Sequence, residues 1–389
     1  MLFSKDEYMQ RLRKVKESMA KKGIDVLLVT NPANICYTIG YDAWSFYVHQ
    51  IVVIAQDEEM PYFIGRYMDA FAGVVKMTYL DEKHVFAYPD FYVQNPECHP
   101  MDFMSDVLKD LGYANKTIGV EMDSYYFTAM AFESLKKGLP DAKFVNGDLI
   151  VNWVKIIKSD AEVDLIRKAG KVVDNAMRIA ADMVAPGVRQ CDVGGAIMGA
   201  QMRGTDEISG DYSSIAPLTP YGKTSGAPHP TPDDQVYENG TTMFIEIAGI
   251  HKRYHCPMSR TFVIGKAEQK VYDAAQYTIE GLEAALAKVK PGNLCEDVEA
   301  AWRETVAKYG IEKESRIGYS TGLNYPPDWG EHTASLRPGD MTVLQPNMVF
   351  HCIPGVYYPD FGISISQCFR VTETGCERMS SFPFELIQK

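Results

Sequence analysis

The sequence predicts an α/β protein of two domains, residues 1–155 and 156–389, the second made of two similar halves. Three observations lead there. The length, 389 residues, suits two domains of ordinary size. Short β-branched runs alternate with helical periodicities over the first domain, the pattern of a small α/β unit. Further on, Val184-Ala-Pro-Gly-Val-Arg-Gln-Cys-Asp192-Val193 is echoed by Val289-Lys-Pro-Gly-Asn-Leu-Cys-Glu-Asp297-Val298, each between two helical stretches.

Lys5 to Lys22 carries apolar Tyr8, Leu12, Val15 and Met19 at helical spacing and stops at Gly23. Asp25–Thr30, Ile51–Ala55, Tyr62–Ile64 and Thr117–Glu121 read as strands, and a helix is expected from about Tyr126 to Lys137. Ser159-Asp160-Ala161-Glu162 is a capping box opening a long helix, which puts the domain boundary just before it. In each echoed segment a Pro-Gly turn is followed by an Asp expected to cap the next helix, Val193–Arg203 or Val298–Tyr309. β-rich stretches follow each copy, Thr242–Val263 and Thr342–Val371. Two such halves would enclose a cleft suited to a small ligand.

Composition narrows the function. Lys and Arg number 39 against 51 Asp and Glu, a net charge of −12. That excludes a nucleic-acid binder, which needs a basic stripe for phosphates, and disfavours an anionic membrane surface. The longest apolar runs are far shorter than the roughly 20 residues a membrane helix needs. The charged N-terminus lacks the apolar core of a signal peptide, so a cytoplasmic protein is expected. The eight cysteines form no C-x-x-C pair and read as reduced thiols.

Five segments in order resemble the creatinase/prolidase/methionine-aminopeptidase family: Asn34-Ile-Cys-Tyr37-Thr-Ile-Gly40, Lys158-Ser159-Asp160-Ala161-Glu162, Ala227-Pro228-His229, Ser259-Arg260-Thr261 and Pro354-Gly355-Val356-Tyr357. The resemblance implies the pita-bread fold, with a creatinase-type N-terminal domain and pseudo-two-fold halves in the C-terminal one. It also implies a homodimer in which the Trp44–Phe46 region of one subunit reaches its partner's cleft.

The departures are informative. Metallopeptidases of the family hold two divalent metals through Asp, Asp, His, Glu and Glu. Here those positions fall on Glu246, Pro257, Tyr319, Ile353 and Ser366. One carboxylate cannot hold two metals, so no metal and no cofactor is expected, as in the creatinase branch. Within that branch, segments such as Phe244-Ile-Glu-Ile-Ala-Gly249 and Tyr325-Pro-Pro-Asp-Trp-Gly-Glu331 are similar to the ectoine hydrolase subfamily.

The candidate catalytic residues are His229 and Glu246. His229 can take up a proton near neutral pH. Glu246, on a strand face shared with Phe244 and Ala248, is either a structural ion pair with Arg260 or Arg253, or a carboxylate facing a cationic substrate, as nucleophile or proton carrier. Candidate substrate contacts are Trp44, Phe46, Tyr212, His255 beside the altered metal position at Pro257, Tyr319 through its phenol, and Asp328 and Trp329, where an aromatic face beside a charge can hold a planar cation; for Trp44, Phe46 and Trp329 the alternative is core packing. His251 and His255 lack a third ligand for a metal. The expected reaction is metal-independent hydrolysis of a small zwitterion bearing a cyclic amidine and a carboxylate. The alternatives are a creatinase-like amidinohydrolase, an X-Pro peptidase, or a family member that binds without turnover.

Overall fold

Helix α1 (Lys5–Lys21) opens the chain, with Tyr8, Leu12, Val15 and Met19 buried as its periodicity requires and the Ser4 hydroxyl accepting from the Glu7 N–H. The computed structural model describes residues 1–389, in two units, Met1–Lys155 and Ile156–Lys389. In the first, β1 (Val26–Val29), β2 (Ile51–Ala55), β3 (Tyr62–Arg66), β4 (Val85–Tyr88), β5 (Thr117–Val120) and β6 (Lys143–Asn146) form one mixed sheet in the order β4-β3-β2-β1-β5-β6. Helices α2 (Pro32–Ile39), α3 (Pro100–Asp110), α4 (Ala129–Gly138) and α5 (Ile150–Lys155) complete the unit. Helix α4 starts three residues later than its apolar pattern suggests. A turn occupies 124–127, and Thr128 provides the cap, accepting from the Ala131 N–H.

The N-x-x-Y-x-x-G segment proves structural. Asn34 donates to the buried Glu121 carboxylate at 2.6 Å. Tyr37 lies under the Arg11 guanidinium at 4.4 Å. Gly40 ends α2 at φ 78°, where a Cβ would fall 2.7 Å from the Tyr8 hydroxyl.

The second unit holds the two halves. Helices α6 (Asp160–Met183) and α7 (Gln190–Arg203) belong to one, α8 (Gln269–Lys288) and α9 (Cys295–Ala307) to the other. Gly187 and Gly292 occupy matching left-handed turns, φ 87° and 89°. Asp192 and Asp297 are not the caps. Both helices begin earlier, at Gln190 and Cys295, so these carboxylates sit in the first turn. There Asp297 accepts from the Leu294 N–H, and Asp192 pairs with Arg189. An acid in the first turn still complements the positive end of the helix.

Strands β7 (Thr241–His251) and β8 (Tyr254–Ile264) form a long hairpin, closed by Lys252 and Arg253 at φ 51° and 68°, the signature of a type I′ turn. The remaining strands are β9 (Gly318–Thr321), β10 (Gly330–Leu336), β11 (Val349–Cys352), β12 (Val356–Tyr357), β13 (Gly362–Ile363), β14 (Gln367–Val371), β15 (Cys376–Arg378) and β16 (Ile387–Gln388). They give the sheets β10-β9-β11-β14-β15, β12-β13 and β16-β8-β7. Ser366 N–H donates to Ser259 O at 3.1 Å and stitches the two larger sheets together. All eight cysteines are free, and no helix is long and apolar enough to cross a membrane.

Candidate active site

The β7–β8 hairpin sorts its residues onto two faces. Ile245, Ile247 and Gly249 turn toward α6, and Gly249 is there because a Cβ would lie 2.0 Å from Ala169 O. Phe244, Glu246, Ala248 and Ile250 turn the other way. Their cross-strand partners are Thr261, Ser259, Pro257 and His255, so Glu246, Pro257 and His255 share one face. Phe244 meets Tyr357 at 6.0 Å between ring centroids, while Ala248 and Ile250 pack on Trp329 with Ile215 and Tyr319. Glu246 is thereby set between two aromatic walls.

Glu246 is only 6% exposed, and no hydrogen-bond donor or cation acts on its carboxylate. Burial pushes its pKa up to about 8. The ion-pair alternative fails on geometry. Arg260 pairs with Ile245 across the ladder and so points to the opposite face, where its guanidinium donates to Ser259 O, Ser366 O, Phe382 O and Pro383 O. Arg253 pairs with Asp211 at 3.3 Å and lies 4.1 Å over the Tyr212 ring.

The second sheet supplies the opposing groups. Tyr319 on β9 accepts from the Trp329 indole N–H at 2.8 Å and contacts His351 Nδ1 at 3.1 Å. His351 Nε2 is 2.8 Å from Ser366 Oγ, which accepts from the Ser259 N–H at 2.7 Å. Burial, then Arg260 and Arg316, bring the His351 pKa down to about 3, so the imidazole is neutral. Burial, then the Glu246 carboxylate, raise the Tyr319 pKa. The Tyr357 phenol is raised by the same two causes.

The other candidates fall as follows. His255 is buried with both ring nitrogens engaged: Nε2 accepts from the Ser214 N–H, and Nδ1 faces Arg253 O. Burial lowers its pKa to about 4, so it serves as a neutral brace for the 214 segment. Asp328 accepts from the Gly330 N–H and pairs with His332. Burial alone would raise its carboxyl, but these hydrogen bonds hold it below the usual range. Trp329 is 1% exposed and acts through its N–H. His229 is exposed on its loop. That loop is tied in beside the site, since Thr219 N–H donates to Pro230 O while neighbouring Leu218 pairs with Glu246. Trp44 and Phe46 belong to the N-terminal unit. Their ring centroids lie 4.8 Å apart at an interplanar angle of 44°, with Tyr126 edge-on to Trp44, beside a pocket of about 140 Å³. Phe46 is 66% exposed at φ 54°. Sequence reasoning misses His351 and Tyr357. A signal for His351 exists in the chain: an imidazole on a strand face beside the Ile353 metal position.

The donor set does not fit a dinuclear metal. No group of three His, Cys, Asp or Glu side chains converges anywhere in the molecule, and the corner offers one carboxylate, a phenol, a hydroxyl, a prolyl ring, an isoleucine and an imidazole whose two nitrogens already face Tyr319 and Ser366. Lys158 and Glu162 of the helix-start motif are structural: Lys158 pairs with buried Glu331 at 2.8 Å, and Glu162 accepts from the Tyr254 hydroxyl.

Residues 164–373 match the family described as metallopeptidase family M24, and residues 11–157 match the creatinase/prolidase N-terminal domain. The chain is 44% identical to an uncharacterized hydrolase/peptidase of Sinorhizobium fredii over 100% of this chain and 98% of that protein. It is 41% identical to the ectoine hydrolase of Halomonas elongata, again over 100% of this chain and 98% of that protein. Among solved structures, a prolidase from Thermococcus sibiricus superposes with a TM-score of 0.85 at 19% identity, covering 98% of this chain and 99% of that one.

Proposed function

The chain belongs to metallopeptidase family M24, carrying its creatinase/prolidase N-terminal domain, and from that premise we propose that it is a metal-independent hydrolase opening a small cyclic amidine carboxylate, with ectoine as substrate. The observation that carries this is Glu246: a buried carboxylate between aromatic walls, with no cation of its own. Such a group is costly unless a cationic ligand completes it. A planar amidinium does so, and the similarity to an ectoine hydrolase points to the same chemistry.

In this scheme Glu246 pairs with the amidinium, which lies between the side chains of Tyr357 and Tyr319. Water adds to the amidine carbon as His229 takes one of its protons. The carbon becomes tetrahedral. One ring C–N bond then breaks, its electron pair passes to nitrogen, and the C–O bond becomes the amide carbonyl. The departing nitrogen ends as an ammonium holding both protons of the water, and the product is the ring-opened N-acetyl diamino acid. The resemblance further implies a cytoplasmic homodimer, with Trp44 and Phe46 of one subunit closing its partner's cleft.

The test is incubation of the purified protein with ectoine, followed by proton NMR, with creatine and an X-Pro dipeptide as controls. Appearance of the N-acetyl diamino acid supports the scheme. Turnover of creatine or the dipeptide but not ectoine overturns it.

A further inference from the structure

The corner where the family carries metal ligands holds a continuous chain of hydrogen bonds: Ser259 N–H, Ser366 Oγ, His351, Tyr319 Oη, Trp329 Nε1–H. Both ends are groups that can only donate. Between them lie three protons, those of the Ser366 hydroxyl, the neutral imidazole and the Tyr319 hydroxyl. Only two links need them, so one hydroxyl proton is left over. If the imidazole carries its proton on Nε2, the spare one is on Ser366, whose hydroxyl has no other acceptor in its buried setting. If the imidazole carries it on Nδ1, the spare one is on Tyr319, which lies in the field of the Glu246 carboxylate. Ser366 is wholly buried and its hydroxyl meets only His351 and the Ser259 N–H, whereas Tyr319 is partly exposed beside Glu246; only on Tyr319 can the spare proton find an acceptor in water or ligand, so the second arrangement is favoured.

We propose, resting on the functional reading above, that His351 is a positioning residue whose Nδ1–H, together with the Trp329 N–H, occupies the Tyr319 oxygen and turns the Tyr319 O–H into the site as a fixed donor for the departing nitrogen. An amidinium offers only N–H donors and no acceptor to this phenol. A nitrogen lone pair appears only once the carbon is tetrahedral. The Tyr319 hydrogen bond therefore forms in the transition state and not with bound substrate, which is the condition for raising kcat rather than lowering KM. No proton leaves Tyr319 in this role.

The experiment compares His351→Leu, which removes the donor, with His351→Asn, which places an amide N–H where Nδ1–H stood. H351L is expected to lower kcat on the order of 10- to 100-fold, as loss of an outer-shell partner commonly does, with KM within about twofold of native. H351N is expected to recover most of that loss. Tyr319→Phe is expected to match H351L, and the double variant to lose no more than Y319F alone. Additive losses, equal impairment of the two His351 variants, or an effect carried by KM would overturn the proposal. Imidazole ¹⁵N NMR of the native protein, with His351 identified by its absence in H351N, reads the tautomer without turnover: Nδ1–H is expected, and Nε2–H contradicts the proposal even if H351L does not fold. A native enzyme inert toward ectoine would instead defeat the functional reading and leave the tautomer result standing on its own.

Discussion

A carboxyl with a pKa near 8 makes Glu246 the residue most open to test. In the free enzyme only its ionised form pairs with an amidinium. The kcat/KM for ectoine should therefore carry a limb that rises with pH and levels off above about pH 8, whereas kcat, set in the complex where Glu246 is already ionised, should lack that limb. A stopped initial-rate series from pH 5.5 to 9.5 reads both profiles. Glu246→Gln should cost at least about 10²-fold in kcat and abolish the limb. The same shift has a stability consequence. The unfolded carboxyl titrates near ~4.3, so between that pH and about 8 unfolding releases a proton, and native stability falls as pH rises through the window. E246Q escapes this. It should melt roughly 5 °C or more above the native protein at pH 8 and close to it at pH 4.5; a constant difference at both pH values would contradict the assigned pKa. Intact-mass analysis during turnover should show unmodified protein, and an adduct on Glu246 would make that carboxylate the nucleophile.

The hairpin β7–β8 is the element that turns sequence into site, and its two ends carry separate predictions. Gly249→Ala should destabilise the protein by about 3 kcal/mol in urea unfolding, because the added Cβ meets Ala169 O at 2.0 Å and no backbone shift is available without lifting β7 from α6. Lys252→Asn should stabilise by about 0.5–1 kcal/mol, since Asn tolerates the left-handed conformation that Lys252 holds at φ 51°. Strand alternation alone makes the placement of Glu246 legible in the sequence: the residue shares its face with Phe244 and Ala248 as period two requires. Helix starts are less legible. The apolar pattern puts Asp192 and Asp297 at the caps, but backbone pairing of Cys191 with Asp233 and of Cys295 with Thr342 begins each helix a few residues sooner.

Over the whole molecule, what the linear order conceals is cross-strand and cross-sheet partnership. Tyr319 and His351 are 32 positions apart yet directly opposite in the ladder, and Ser366 reaches both His351 and Ser259. No local period announces such a set. The positions that the family resemblance assigns to metal ligands, by contrast, can be read one by one, because Pro257, Tyr319, Ile353 and Ser366 differ from Asp, His and Glu in residue type alone. Hydrolysis by side chains alone requires that no metal is bound there. The most direct measurement is ectoine turnover by protein dialysed against chelator, with its metal content determined by plasma mass spectrometry on the same sample. Full activity with metal far below one equivalent per chain is the predicted result. Activity that falls with the chelator and returns with added zinc, manganese or cobalt would contradict it.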